Sequence, residues 1–335
     1  MAFDSVNKNS IFNISTNINS EKSTYNLIDL MKFICSILVV YVHILRDTPI
    51  TNRFLYYVDF TMRSCITRVA VPFFFVAAGF FLFKKIDLMN PDFSIIKKYV
   101  FRIIAMLGIW NIVLILGEKR HLWYLSALVI AVLALSFFIY KKLSFKSIFA
   151  ISFFLYFINL LTTPYYGIFK SIPIVTKILD LLHSHYIFPR NGLFFGLIFL
   201  VMGLFFAKSN FIIRKKYAAI GLGVSSLLLF AESLFTEKAE LNYQLDIHLF
   251  LIPVVFFLFS LCKDIKLKDN PKYKKLRVAS TLIFLMHDFV YSFVKQVTDN
   301  FILSYFLTLF GAVILSFAIE WLSQKYKFRW LKYLY

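Results

Sequence analysis

Acidic residues are scarce in this sequence. Asp and Glu number 18 against 37 Lys and Arg, and charged residues of both signs make up only 16% of the 335 positions. A soluble domain carries about a quarter, so most of this surface is not built to face water. Cysteine is sparse too. Cys35, Cys65 and Cys262 are scattered, with no CxxC pair, which excludes a disulfide framework and a cysteine-based metal cluster; they read as small buried residues. Only ten glycines are present, and none forms a phosphate-binding loop. No group of His, Cys and carboxylates has metal-ligand spacing, so no metal is expected. No stretch at either end reads as a soluble catalytic domain, and no internal repeat is visible. A cleavable signal peptide is not expected, because the first apolar run begins only near Leu27 and is long enough to remain as a span.

What is present is apolar residue in long runs. The hydrophobic share is 60%, mean hydropathy is +0.73, and Phe alone occurs 42 times; a base-composition bias accounts for part of the phenylalanine. The runs fall near 27–45, 64–83, 100–117, 122–140, 147–163, 188–207, 217–235, 246–262, 278–296 and 300–322. Each is long enough to cross a hydrocarbon core of about 30 Å. The expected fold is therefore an all-α, polytopic helical bundle of about ten transmembrane helices in the plasma membrane. With the N-terminus inside, the cytoplasmic segments hold 25 Lys and Arg and the external ones 11. That bias sets both termini in the cytoplasm, and it explains a net charge of +19 without nucleic acid. Residues 1–24 read as a polar cytoplasmic tail, 25–323 as the membrane domain, and 324–335 as a basic cytoplasmic C-terminus. The segment Ile172–Leu182 is amphipathic, suited to an interface or a re-entrant position.

Asp29, Lys32 and His43 interrupt the first apolar run. Ionisable groups at membrane depth are costly and are kept where they meet a partner or a water-filled cavity. Lys32 and His43 are eleven residues apart, about three helical turns, so both project from one face with a rise of roughly 16 Å between them. They line a conduit with a cation at one mouth and an imidazole deeper in, or else Lys32 snorkels to the interface and His43 bonds a neighbouring helix. Spacing alone leaves both readings open.

Four segments carry a resemblance. Asp29-Leu30-Met31-Lys32, ten residues and then His43; Val71-Pro72-Phe73-Phe74-Phe75-Val76-Ala77-Ala78-Gly79-Phe80; His121-Leu122-Trp123-Tyr124-Leu125; and Ser280-Thr281-Leu282-Ile283-Phe284-Leu285-Met286-His287 follow one another in order. Together they resemble the membrane acyltransferase-3 family in its stand-alone form, without an extracellular domain. Lys32 stands where Arg is commoner in that family, and Ala78 where Ser is usual. Lys97-Lys98-Tyr99-Val100-Phe101-Arg102 replaces a closer pair of arginines. The resemblance implies transfer of an acyl group, usually acetyl, from cytoplasmic acetyl-CoA to a hydroxyl of a cell-surface polysaccharide or its lipid-linked precursor. On that implication Lys32, Lys97, Lys98 and Arg102 meet the charged end of coenzyme A. His43 then serves as base or carries the acyl group.

Other polar positions keep two readings each. Arg68 is an interfacial anchor or part of the acceptor or carbonyl site. His121, Trp123 and Tyr124 are an aromatic belt or line the lumen. Arg190 anchors or contacts glycan, and His287, followed by Asp288, packs helices or takes part in chemistry. Glu232 and Glu320 read as interfacial. The competing class is a transporter-like membrane domain, since Arg190-Asn191-Gly192 also resembles membrane-anchored serine/alanine racemases; the extent of the chain is expected to leave no room for a racemase domain. A flippase for lipid-linked sugar is the third reading.

Overall fold

The computed structural model describes residues 24–46, 49–115, 122–169, 171–181, 191–241 and 247–335, and among these every regular element is helical. Helix α1 spans Asn26–His43. A continuous rod follows from Arg53 to Phe83: α2 (Arg53–Thr61), a π-helical turn (Met62–Ile66), a 3₁₀ turn (Thr67–Val69) and α3 (Ala70–Phe83). Then come α4 (Phe93–Ile115), α5 (Trp123–Tyr140), α6 (Phe145–Thr162) and the short α7 (Pro173–Leu181). A second π turn (Gly192–Gly196) leads into α8 (Leu197–Lys208), followed by α9 (Lys215–Lys238), α10 (Leu251–Asp264), α11 (Lys272–Val294) and α12 (Phe301–Ser323).

Seven of these are long and apolar enough to cross a membrane: α1, the 53–83 rod, α5, α6, α9, α11 and α12. The three other expected runs coincide with α4, with the 192–208 segment and with α10, which has only 14 residues. Helix starts are capped where the sequence supplies a short polar side chain. Asn52, Ser144, Asn191 and Asn300 each accept a bond from the main-chain N–H three residues on, which satisfies one donor that a first turn leaves open. Within the amphipathic stretch, Pro173–Leu181 form α7, with Ile174, Ile178 and Leu181 exposed.

Helix α3 is the centre of the bundle: 11 of its 14 residues are buried, so it is apolar all round rather than on one stripe. It packs on α8, α1 and α10; α1 in turn lies against α11, and α12 covers α11 from outside. Contact between α3 and α8 is backbone to backbone. A Cβ on Gly203 would sit 2.3 Å from the Val76 carbonyl oxygen, and one on Gly79 2.5 Å from that of Leu200. Small residues on both helices thus permit the approach that drives helix association where no hydrophobic effect separates protein from lipid. Part of the Val71–Phe80 motif is explained by this packing. Residues 324–335, expected as a basic tail, fold back onto α4: Trp110 Nε1 donates to the Leu334 carbonyl at 3.0 Å, and Arg102 donates to the main-chain oxygen of Tyr335.

Candidate active site

His43 occupies the last turn of α1, and the chain leaves the helix in extended conformation at Ile44. Its Nδ1 lies 2.8 Å from the Val39 carbonyl oxygen. A carbonyl can only accept, so the proton sits on Nδ1 and Nε2 bears the lone pair of the neutral ring. Helix α11 delivers a second imidazole. His287 Nδ1 lies 2.8 Å from the Phe284 carbonyl oxygen and 3.2 Å from that of Ile283, which assigns the same tautomer. His287 is buried, its Nε2 has no hydrogen-bond partner among the described residues, and Asp288 Oδ1 is 3.7 Å away. The two rings lie edge to face with centroids 4.8 Å apart.

They share the wall of a cavity of about 180 Å³. Thr67 and Arg68 from the 3₁₀ turn complete its polar side; Trp123, Phe195 and Phe284 stand among its apolar lining. Each π turn adjoins this cavity: the first immediately precedes Thr67, and the second contains Phe195. Such turns widen a helix locally and recur at functional sites. One ligand atom each from His43, His287 and Asp288 lie within 4.8 Å of one another, a grouping able to hold a metal ion that no sequence spacing announced.

Of the residues singled out in the sequence, His43, Arg68, Trp123 and His287 meet at this cavity. Tyr124 stands behind it in the aromatic core, its ring 4.9 Å from Phe75 and 5.2 Å from Phe284. His121 and Arg190 lie outside the described residues. Lys32 is partly buried three turns before His43 on α1, and its charged neighbours are Asp29 and Arg277. Lys97 and Lys98 are exposed in the first turns of α4. Arg102, also exposed, is engaged by Tyr335.

Two buried polar networks were not visible in the sequence. Asp29 is buried and accepts two bonds from Arg277, Nε to Oδ1 at 2.8 Å and Nη2 to Oδ2 at 2.6 Å. Glu232 corrects the interfacial reading: it is buried, takes the Tyr165 hydroxyl at 2.5 Å, and accepts the main-chain N–H groups of Leu249 and Phe250 at 2.7 and 3.0 Å. A carboxylate there satisfies open donors at the start of α10. Burial and the bond to Glu232 push the Tyr165 hydroxyl well above its ordinary pKa. His248, unremarked in the sequence, is fully buried beside it, 3.3 Å from the Ser233 hydroxyl.

A multi-helix membrane bundle whose cavity joins two imidazoles and a guanidinium is suited to moving protons and stabilising charge at a carbonyl within the membrane domain. The chain belongs to the acyltransferase-3 family: the family's acyltransferase domain matches residues 25–118 and 119–322. Two proteins of Enterococcus faecalis named amino-acid racemase are 26% identical to it, covering 92% and 91% of this chain and 47% of each relative. A serine/alanine racemase of Enterococcus gallinarum is 26% identical over 89% of this chain and 46% of its own length. The chain thus spans about half the length of the curated relatives it matches. No solved structure matches it.

Proposed function

We propose that this protein is a membrane O-acyltransferase that moves an acyl group, acetyl in the first instance, from cytoplasmic acyl-CoA to a hydroxyl of a cell-surface polysaccharide or its lipid-linked precursor. In this reading both termini are cytoplasmic, about ten segments span the plasma membrane, and α1 runs outward from Lys32 to His43. The observation that carries it is the imidazole pair on the cavity wall with Arg68 beside it. His43 Nε2 takes the acceptor's proton as its oxygen attacks the thioester carbonyl. Arg68 stabilises the oxyanion that develops there, which is commonly the largest single contribution to acyl transfer. His287 Nε2 receives that proton from His43 and delivers it to the departing thiolate, which leaves both rings neutral again. Lys32 meets coenzyme A phosphate at the cytoplasmic mouth, and the neutral pantetheine arm lies along α1.

Proteoliposomes given labelled acetyl-CoA on the cytoplasmic side are expected to release free coenzyme A and to carry label on an outside glycan acceptor. Solute uptake without thioester turnover would overturn the acyltransferase reading. A second reading has a specific observation in its favour: the curated relatives are named racemases of amino acids. On that reading the domain handles an amino acid, with Arg68 holding its carboxylate, and flux is indifferent to coenzyme A.

Donor binding is expected to depend on charge at Lys32. Lys32→Gln should weaken coenzyme A binding about tenfold or more, the usual worth of one charge-assisted bond. Lys32→Arg should bind as the wild type does. Calorimetry in detergent decides this, and unchanged affinity of the Gln variant would assign Lys32 to interfacial anchoring.

A further inference from the structure

Helix α1 ends at His43, and its last carbonyls have no partner within the helix. The partner comes from the π turn of the neighbouring rod. Arg63 Nη2 donates to the Ile44 carbonyl oxygen at 3.0 Å and Nη1 to that of Val42 at 3.4 Å, the two carbonyls that flank His43. Arg63 Nε is held by Asp59, 3.1 Å from Oδ2 and 3.3 Å from Oδ1. The same carboxylate accepts the Tyr41 hydroxyl at 2.8 Å and Arg46 Nη2 at 3.0 Å, so it ties together the residues on either side of His43. The guanidinium lies 5.4 Å from the Tyr41 ring and 5.2 Å from that of Phe301, and Arg46 stacks on Phe301 from 4.1 Å.

We infer that Arg63, locked by Asp59, is a positioning residue for His43: it caps the end of α1 and so fixes where Nε2 points. His43 is oriented by a bond to a carbonyl of its own last turn, Val39, and a last turn without a cap frays. A positive group at a helix C-terminus also opposes the partial negative charge there. The guanidinium meets the carboxylate and the two carbonyls from three separate nitrogens of a fixed fork, a spread that the point-like ammonium of Lys does not reproduce, so Lys is not equivalent to Arg at this position. Arg63 is absent from the cavity lining, so its effect passes through His43.

This inference rests on the acyl-transfer role of His43, and the experiment separates the two. Arg63→Ala is expected to lower kcat by about 10²-fold, the cost of a displacement near 1 Å at a reacting group, with the KM for acetyl-CoA unchanged. Arg63→Lys should recover only part of the loss. Millimolar methylguanidine should restore turnover to Arg63→Ala where methylamine does not. In a His43→Ala background, Arg63→Ala should cost nothing further, because residues acting as a unit are not additive. Hydrogen exchange of the Ile44 and Leu45 amides, which bond to the Val40 carbonyl and the Tyr291 hydroxyl, should accelerate in Arg63→Ala. Should that variant fail to fold, Arg63→Gln, which keeps one donor and most of the volume, is measured in its place. Wild-type kcat with unchanged exchange, or a further tenfold loss on top of His43→Ala, would overturn the inference. Full turnover by His43→Ala alone would instead overturn the role of His43 in acyl transfer, and the exchange data would still decide whether Arg63 holds the end of α1.

Discussion

His43→Ala is expected to insert and fold as the wild type does and to lose acyl transfer by about 10²–10⁴-fold, the range that general acid–base assistance supplies. That loss corresponds to about 3–5 kcal/mol of barrier. Folding is expected to survive because the His43 side chain is only partly buried and its Nδ1 bonds to its own helix. Catalysis is not, because the Nδ1 bond to Val39 dedicates Nε2 to the cavity. His287 is the nearest substitute, but its ring is fixed by two carbonyls of α11 and cannot swing into the vacated place. His43→Gln sharpens the comparison: it keeps a hydrogen-bonding group of similar reach and loses the ability to take a proton. Both variants should therefore fall together in single-turnover release of coenzyme A. Wild-type transfer by either would remove His43 from the chemistry.

The sequence announced much of the bundle and one side of the cavity. Apolar runs near 27–45, 64–83, 122–140, 147–163, 217–235, 278–296 and 300–322 all coincide with helices fit to span. The signal there is length and composition, which a single chain displays openly. The Lys32–His43 spacing likewise placed a cation and an imidazole on one helix, because a fixed period links them. Other features depend on contacts that no local pattern encodes. Arg277 sits 248 residues from its carboxylate partner Asp29, and in the sequence it is one of several basic residues near a helix start. His287 reads equally as a packing residue until α1 lies against α11. Glu232 was misread because a carboxylate near a helix end is ordinarily interfacial; the donors it satisfies are main-chain N–H groups of the two residues just before α10. The π turn that aims Arg63 across the end of α1 has no sequence signature at all.

The pair Asp29–Arg277 is expected to respond asymmetrically to mutation. Asp29 is 1% exposed, whereas the Arg277 side chain is 51% exposed. Removing the guanidinium by Arg277→Gln strands a carboxylate in the bundle. Losing one partner of a buried pair costs about 3–5 kcal/mol, and the half-exposed Arg places this case at the lower end. Asp29→Asn leaves a cation that can hydrate and an amide that still accepts one bond, so it should cost only about 1–2 kcal/mol. The double variant Asp29→Asn/Arg277→Gln should be more stable than Arg277→Gln alone, since the cost lies in the unpaired charge rather than in the lost bond. Lys32 extends the argument. It lies one turn beyond Asp29, and both Asp29 and Arg277 act on its charge. With Arg277 gone, Lys32 is the nearest cation to the stranded carboxylate and is drawn toward it. Arg277→Gln is then expected to weaken coenzyme A binding as well as stability, although Arg277 itself is assigned no contact with the donor. Adding Lys32→Gln to that variant should destabilise more than the two single changes combined. Thermal unfolding in detergent, run beside coenzyme A titrations on these variants and on Lys32→Gln alone, tests both statements. Equal losses from Asp29→Asn and Arg277→Gln would show that the pair contributes a bond and not a compensated charge.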